Sequence, residues 1–415
     1  MTGDRPSYSG LLRNRSFAAL WVGQLVSQSG DAVFDVALLW LVLRTTGSTM
    51  LVGLTQAAVL IPGIFVGPFA GVYADRLNRR TMMILSNIAQ GAVTAAISLL
   101  YLTDELNFTS LILLVLLLFA AAQFFRAALT AIIPRIVSRE NLGAANSLFT
   151  LTTSANQLVG YAAGGIVLLT LGEAVSITYD SLTFFIAAAI MTLVVKTYGQ
   201  PRQDDAVDGL NAKRGFWEDF REGLAYVRQN KFLLESMVLG LITNFFAVGV
   251  DTLTAPYVKF WLHGDSLAYG FMLASQALGT VIGSFGIGKV NFRTYAGKLL
   301  LVGVIGTGLF TALAGVVTTV PEGFMIFLGI GVLSGFVNTP LQALVQTQVR
   351  GELLGRAFTV MISLLAAAQP IAALTFGWLA DFSSVGLLLE IAGLVTVLIT
   401  LALSLVFGQL RTASY

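Results

Sequence analysis

The chain contains no cysteine, so it forms no disulfide and offers no thiolate to a metal. Histidine is nearly as scarce: His263 stands alone, which excludes a metal centre built from imidazoles. Charge is sparse too. Lys, Arg, Asp and Glu make up 11% of the 415 residues, against about 25% in soluble domains, too few to coat a water-exposed surface. The net charge of +2 is too small to argue for a nucleic-acid partner. No nucleophile–base pair can be assembled from the polar residues, so neither an enzyme nor a cofactor is expected. The stretch Gly283 to Val290, GSFGIGKV, comes close to a phosphate-binding loop, but Val290 stands where serine or threonine is required and no strand precedes it. ATP-driven action loses its support.

What fills the chain instead is apolar: 56% of the residues, with 42 glycines, a composition suited to membrane helices that approach one another closely. Crossing a ~30 Å hydrocarbon core takes about 20 apolar residues. Such segments begin near Phe17, Met50, Thr81, Phe108, Asn146 and Ala174, and again near Phe232, Leu267, Gly297, Gly323, Leu354 and Val385. The expectation is an all-α membrane protein of twelve transmembrane helices in two pseudo-symmetric six-helix bundles, 1–196 and 231–415, joined by a connector over 197–230. Within the connector, QPRQDDAVDGLNAKRG reads as flexible chain. After it, Phe216, Phe220, Leu224 and Val227 recur at helical spacing beside Trp217, opposite Glu218, Asp219, Arg221 and Glu222. This predicts an amphipathic helix, either lying on the lipid headgroups or packed against the loops.

Basic residues set the orientation. With the amino terminus inside, all of the 24 bases fall on the inner side except Arg44 and Lys259, outside, and Arg126, within a membrane segment. Both termini are therefore expected in the cytoplasm, in a multi-pass protein of the cytoplasmic membrane. The polar start MTGDRPSYSGLLRNRS leads into a segment too long for a cleaved signal peptide, so the first helix is expected to remain. Internal repetition agrees. Val137, Glu140, Leu142 and Gly143 match Val349, Glu352, Leu354 and Gly355, and Gly53 and Gly71 are spaced as Gly270 and Gly288 are, with Phe292 in the place of Asp75.

The turn GVYADRLNRR, Gly71 to Arg80, has the spacing G-x-x-x-D-R-x-x-R-R. It resembles the loop between helices two and three of the major facilitator superfamily. RNRSFAALWVGQLVSQSGDAVFDVALLWLVL, ENLGAANSL and YDSLTFFIAA are similar to bacterial exporters of the macrolide-efflux and enterobactin-export type. The resemblance implies a major facilitator fold and a gating role for Gly71, Asp75, Arg76, Arg79 and Arg80, with Asp75 latching onto the free amides of the helix that opens near Leu354. The alternative is that the arginines only set topology. Gly160, Gly164 and Gly165 resemble the glycine pattern of the fifth helix in antiporters, with Tyr161 replacing the usual proline; close helix packing alone accounts for them equally well.

Carboxylates within the apolar segments mark where function carries an energetic cost. Asp31, Asp35 and Asp251 are the deepest. Asp180 and Glu390 are expected about two turns below the outer surface in a wet mouth, and Glu235 is expected to be solvated near the cytoplasmic boundary. An ionised aspartate at a helix centre costs about 2.5–3.5 kcal/mol, and protonating an ordinary one at neutral pH costs roughly 4 kcal/mol, so the two states lie near balance. Asp31 and Asp35, four apart on one helix face, are harder to ionise together than singly. They are the first choice for proton coupling, with Asp251 second. Arg126 offers a countercharge that switches, a fixed ion pair or an anion ligand. Gln24, Phe34, Asn156, Asn244 and Gln369 complete the substrate-binding candidates.

The expected activity is secondary active efflux of hydrophobic or cationic, macrolide-like drugs by proton antiport with alternating access. Its partners are a small-molecule substrate, protons and the lipid bilayer, and the protein is expected to be monomeric, with no nucleic acid and no metal. Alternatives are a proton-coupled or exchange carrier of a small anion, working through Arg126, and a siderophore or lipid exporter.

Overall fold

The computed structural model describes residues 8–195, 198, 216–288, 296–348 and 351–408, with side chains for all of these except 8–9, 216–219, 288, 339–348 and 351–358. Every described element is a helix. A short helix, Tyr8–Arg13, precedes α1, Arg15–Thr46. Helix α2 is a bent pair, Thr49–Phe65 and Gly67–Arg76, with a bend of 43° where Val66 precedes Pro68 at the second piece's start. Next come α3, Arg79–Leu102, and α4, Phe108–Ile136.

Leu142–Met191 forms 50 residues of continuous helix in hydrogen-bond terms. At 1.5 Å per residue that is about 75 Å, more than twice the hydrocarbon core. At Gly172 the backbone takes φ +82° and ψ −179°, a conformation open to glycine and strained for any side chain. The stretch is therefore two crossings, α5 (142–171) and α6 (173–191).

After the connector helix, Phe216–Gln229, follow α7, Lys231–Pro256, prolonged by a π turn, Tyr257–Trp261, and α8, Ser266–Gly288. Then come α9, Ala296–Ala314, α10, Val320–Gln348, α11, Gly351–Phe382, and α12, Val385–Val406. Ten helices are long and apolar enough to cross a membrane, or eleven with the bent pair counted. Dividing 142–191 at Gly172 brings the described residues to the expected twelve. Large apolar side chains such as Phe65, Phe69, Leu99, Phe285 and Leu405 face outward, as they do where the surroundings are lipid.

Polar side chains cap the starts of several helices. Asn78 accepts from the Thr81 amide at the start of α3, and Asn107 with Ser110 forms a capping box for α4. Asn230 and Ser384 cap α7 and α12.

The chain divides into two compact units, Met1–Leu41 with Ala58–Lys213, and Val42–Ala57 with Arg214–Tyr415. In the first unit, a Cβ on Gly160 would lie 2.5 Å from that of Ala32, and one on Gly164 3.1 Å from the Val33 Cα. The glycine pattern of α5 thus serves close packing on α1. In the second unit, α8 and α10 interlock through two glycines each: a Cβ on Gly279 would meet the Leu328 carbonyl oxygen at 2.1 Å, and one on Gly331 the Gln276 carbonyl oxygen at 2.1 Å. Gly283 belongs to the same seam, where a Cβ would strike the Val332 carbonyl oxygen, so the phosphate-loop look-alike begins as a packing motif.

The α1–α2 turn clusters with the second unit and is held there at both helix ends. Asp381 of α11 accepts hydrogen bonds from the Thr49 and Met50 amides, at 2.8 and 3.2 Å, and from the Ser48 and Thr49 hydroxyls. Lys259 Nζ donates to the Leu43 carbonyl at 3.1 Å. An anion thus sits at a helix start and a cation at a helix end, as the helix dipoles favour.

The connector helix packs on α7 and α11. Val227 is fully buried in one apolar cluster with Phe232, Leu233 and Met237, so the end of this helix packs within the protein. That cover corrects one expectation. Glu235 is not solvated but 3% exposed, because the connector helix lies over the start of α7.

Replacing Gly331 by valine is expected to lower stability by about 1–3 kcal/mol, and Asp381→Ala by about 1 kcal/mol. Gly143→Ala, at a site where a Cβ meets nothing within 4 Å, is expected to be harmless. Thermal unfolding of the detergent-purified variants checks all three; equal losses at Gly143 and Gly331 would reject the interlocking seam.

Candidate functional site

Each unit encloses a cavity, and the sequence-derived residues divide between them. In the first unit, a cavity of about 440 Å³ is lined by Gln24, Asp31, Phe34 and Asp35 of α1, Arg126 of α4 and Asn156 of α5. All six were expected at the site. Threonine and amide side chains hold α5 against α1 here: Thr153 Oγ1 donates to Gln28 Oε1 at 3.2 Å, and Asn156 Nδ2 to the Leu25 carbonyl at 3.3 Å.

Asp31 is half-buried and Asp35 exposed; among the described residues neither accepts a hydrogen bond, and Asp31 is within electrostatic reach of Arg126. Arg126 is exposed, and its guanidinium forms no ion pair among the described residues.

The same cavity holds residues that the sequence reading passed over. Asp180 was expected in a wet mouth; it is 1% exposed, lines this cavity, and neither of its carboxyl oxygens has a hydrogen-bond partner. The cause lies in α1. A Cβ on Gly30 would come within 2.6 Å of Asp180 Oδ1 and 3.0 Å of its Cα, so the missing side chain lets α6 press its carboxyl against the helix that carries Asp31. Asn87 and Gln90 of α3 also line the cavity. Both are buried, and the Asn87 amide has no partner on either atom. Their signal was present in the sequence as Ser86, Asn87 and Gln90 on one face of an otherwise apolar helix. The carboxylates do not close into a metal site: among the described residues no group of three or more His, Cys, Asp or Glu is placed to hold an ion.

The second unit's cavity, about 400 Å³, is lined by Asn244 and Asp251 of α7 together with Gln276, whose Nε2 donates to Asp251 Oδ1 at 3.5 Å. Gln369, half-buried on α11, does not line this cavity.

The expected gating residues have settled positions within the first unit. Leu77 and Asn78 alone separate α2 from α3. Arg79 is buried at 2% exposure, and Arg80 Nη2 donates to the Thr192 carbonyl at 2.5 Å, capping the end of α6. Asp75 and Arg76 are exposed, and Gly71 has open space where a Cβ would stand. Gly165 is buried. The latch expected of Asp75 falls on Leu354, whose side chain lies outside the described residues, as does the second basic turn, 289–295.

A buried carboxyl without a donor is costly, whereas an apolar group of similar shape is not. Asp180→Leu is therefore expected to raise the unfolding temperature while lowering transport. A lowered temperature with transport intact would show that the carboxyl has a stabilising role instead.

Among known proteins, residues 7–413 match the family model described as transmembrane secretion effector. Macrolide efflux protein A of Streptococcus pyogenes is 24% identical over 371 residues, covering 88% of this chain and 89% of its own. The multidrug efflux pump Tap of Mycobacterium tuberculosis is 26% identical over 366 residues, 86% and 85% of the two chains. Of solved structures, a D-xylose–proton symporter superposes with a TM-score of 0.71 at 15% identity over 98% of this chain and 100% of its own. A bacterial homologue of the human lysosomal transporter Spinster gives 0.68 at 15% identity over 99% and 98%. With twelve crossings, a shared fold and a match along almost its whole length, the chain belongs to the transmembrane secretion effector family of major facilitator transporters.

Proposed function

We propose that the protein exports hydrophobic or cationic, macrolide-like compounds across the cytoplasmic membrane in exchange for protons, as a monomer working by alternating access. The observation that carries this reading is the first unit's cavity, in which Asp31 and Asp35 accept no hydrogen bond among the described residues and Asp180 has no donor, beside the apolar walls of Phe34 and Phe125. A carboxyl clamped by a permanent base cannot take up and release a proton cheaply; one poised between burial and water can. Moving one charge across 100 mV supplies about 2.3 kcal/mol for the work. The relatives named for macrolide and multidrug efflux support the direction and the substrate class.

The small-anion alternative draws on Arg126, whose guanidinium is free of ion pairs among the described residues. Three carboxyls share the cavity with that one guanidinium, so an anion entering it meets an excess of acidic groups. The siderophore or lipid alternative draws on the amphipathic connector helix, of which Val227 is buried by packing within the protein.

Drug-stimulated proton movement is expected in proteoliposomes of the native protein and is expected to be lost in Asp35→Asn. Normal coupling in that variant would remove Asp35 from the mechanism. Uptake that survives a collapsed proton gradient yet depends on Arg126 would select the anion carrier.

A further inference from the structure

The second unit's cavity has a chemical character set by how its hydroxyls are used. Thr243, Thr280, Thr307, Thr311, Ser334 and Thr396 line it from α7, α8, α9, α10 and α12. Each donates its hydroxyl hydrogen to the carbonyl four residues earlier in its own helix, at 2.8 to 3.0 Å. A hydroxyl has one hydrogen and two lone pairs. With the hydrogen spent on the backbone, each of these groups offers the cavity an acceptor only. Asp251 adds a carboxylate, and no other charged side chain lines the space. The amide of Gln276 is directed to Asp251.

The cavity is also unsatisfied. Ser236 is 1% exposed with a hydroxyl that has no partner, and the Asn244 carbonyl oxygen has none either. Asn338, Asn244 and Ser236 can each donate as well, but the six spent hydroxyls, the Asn244 oxygen and the Asp251 carboxylate leave acceptors in the majority, which points to a guest that brings donors. Its volume, about 400 Å³, lies within the range of small-ligand pockets.

We propose that this cavity binds the protonated amine of a substrate, with Asp251 as its counter-ion and the surrounding hydroxyls as acceptors for its N–H groups. Asp251 is thereby a substrate ligand and not a proton carrier, and the cavity of the first unit is left to the coupling proton. This rests on the export reading and names its preferred cargo: primary, secondary or tertiary ammonium compounds over quaternary ones of the same shape. Phe246, which also lines the cavity, offers a ring face to any cation, so discrimination between these two classes isolates the acceptors from the ring.

The test is binding to the purified protein with no gradient present, so that it stands or falls separately from proton-coupled export. The probes are a naphthylmethyl-dimethylamine, protonated at neutral pH, and its trimethylammonium analogue, each titrated by fluorescence. The tertiary ammonium is expected to bind about tenfold or more tightly, the scale of one charge-assisted hydrogen bond, and the ratio is expected to fall to near one in Asp251→Asn. Thr311→Val, isosteric and already bonded only to its own helix, is expected to reduce the ratio without altering the unfolding temperature, which covers the case in which Asp251→Asn fails to fold. Equal affinity for the two probes in the native protein, or a ratio unchanged in both variants, would overturn the proposal.

Discussion

At Gly30 the backbone of α1 comes so close to α6 that a Cβ would strike Thr183 Oγ1 at 2.1 Å and Asp180 Oδ1 at 2.6 Å. Much of the first unit's chemistry depends on that approach. Lipid supplies no hydrophobic force to drive helices together, so association relies on close van der Waals contact and on the hydrogen bonds that small residues permit. Gly160 and Gly164 bring α5 against the same helix, and α1 is left with Asp31 and Asp35 facing a cavity that α3, α4, α5 and α6 complete. A bulkier residue at any of these points would open the seam and move the carboxyls apart.

The two units handle polarity differently under the same constraint. In the first, polar atoms are left without partners: the Asp180 carboxyl, the Asn87 amide, the Gln24 carbonyl oxygen. In the second, most hydroxyls are satisfied by their own helices, and the excess lies in lone pairs that line a cavity holding a single carboxylate. A group with no partner is sensitive to any proton or ligand that arrives, whereas a wall of acceptors selects for donors. The first arrangement suits a site whose charge changes, and the second a site that recognises a cation bearing hydrogen-bond donors.

Much of this was legible in the sequence because it follows from local rules. Spans are set by length and hydropathy, turns by Asn78, Asn107, Asn230 and Ser384 at helix starts, and the deep carboxylates of α1 by their spacing. Asp31, Asp35, Arg126, Gln24, Phe34 and Asn156 meet in one cavity because they lie on the faces that helical periodicity assigns them. Asp180 and Glu235 were misjudged for a shared reason. Distance along a helix from its end estimates depth, but exposure depends on what lies alongside, and neither Gly30 nor the connector helix announces its neighbour.

The sequence by itself therefore determined that this chain crosses a membrane, how many times, and which carboxylates its helices carry inward, because hydrophobic length and charge placement act residue by residue. Only the tertiary structure decided which of those carboxylates share a cavity, which are sealed from water, and where each hydroxyl spends its hydrogen. Those outcomes depend on contacts between helices distant in the chain, whose geometry is set by the space a missing side chain leaves.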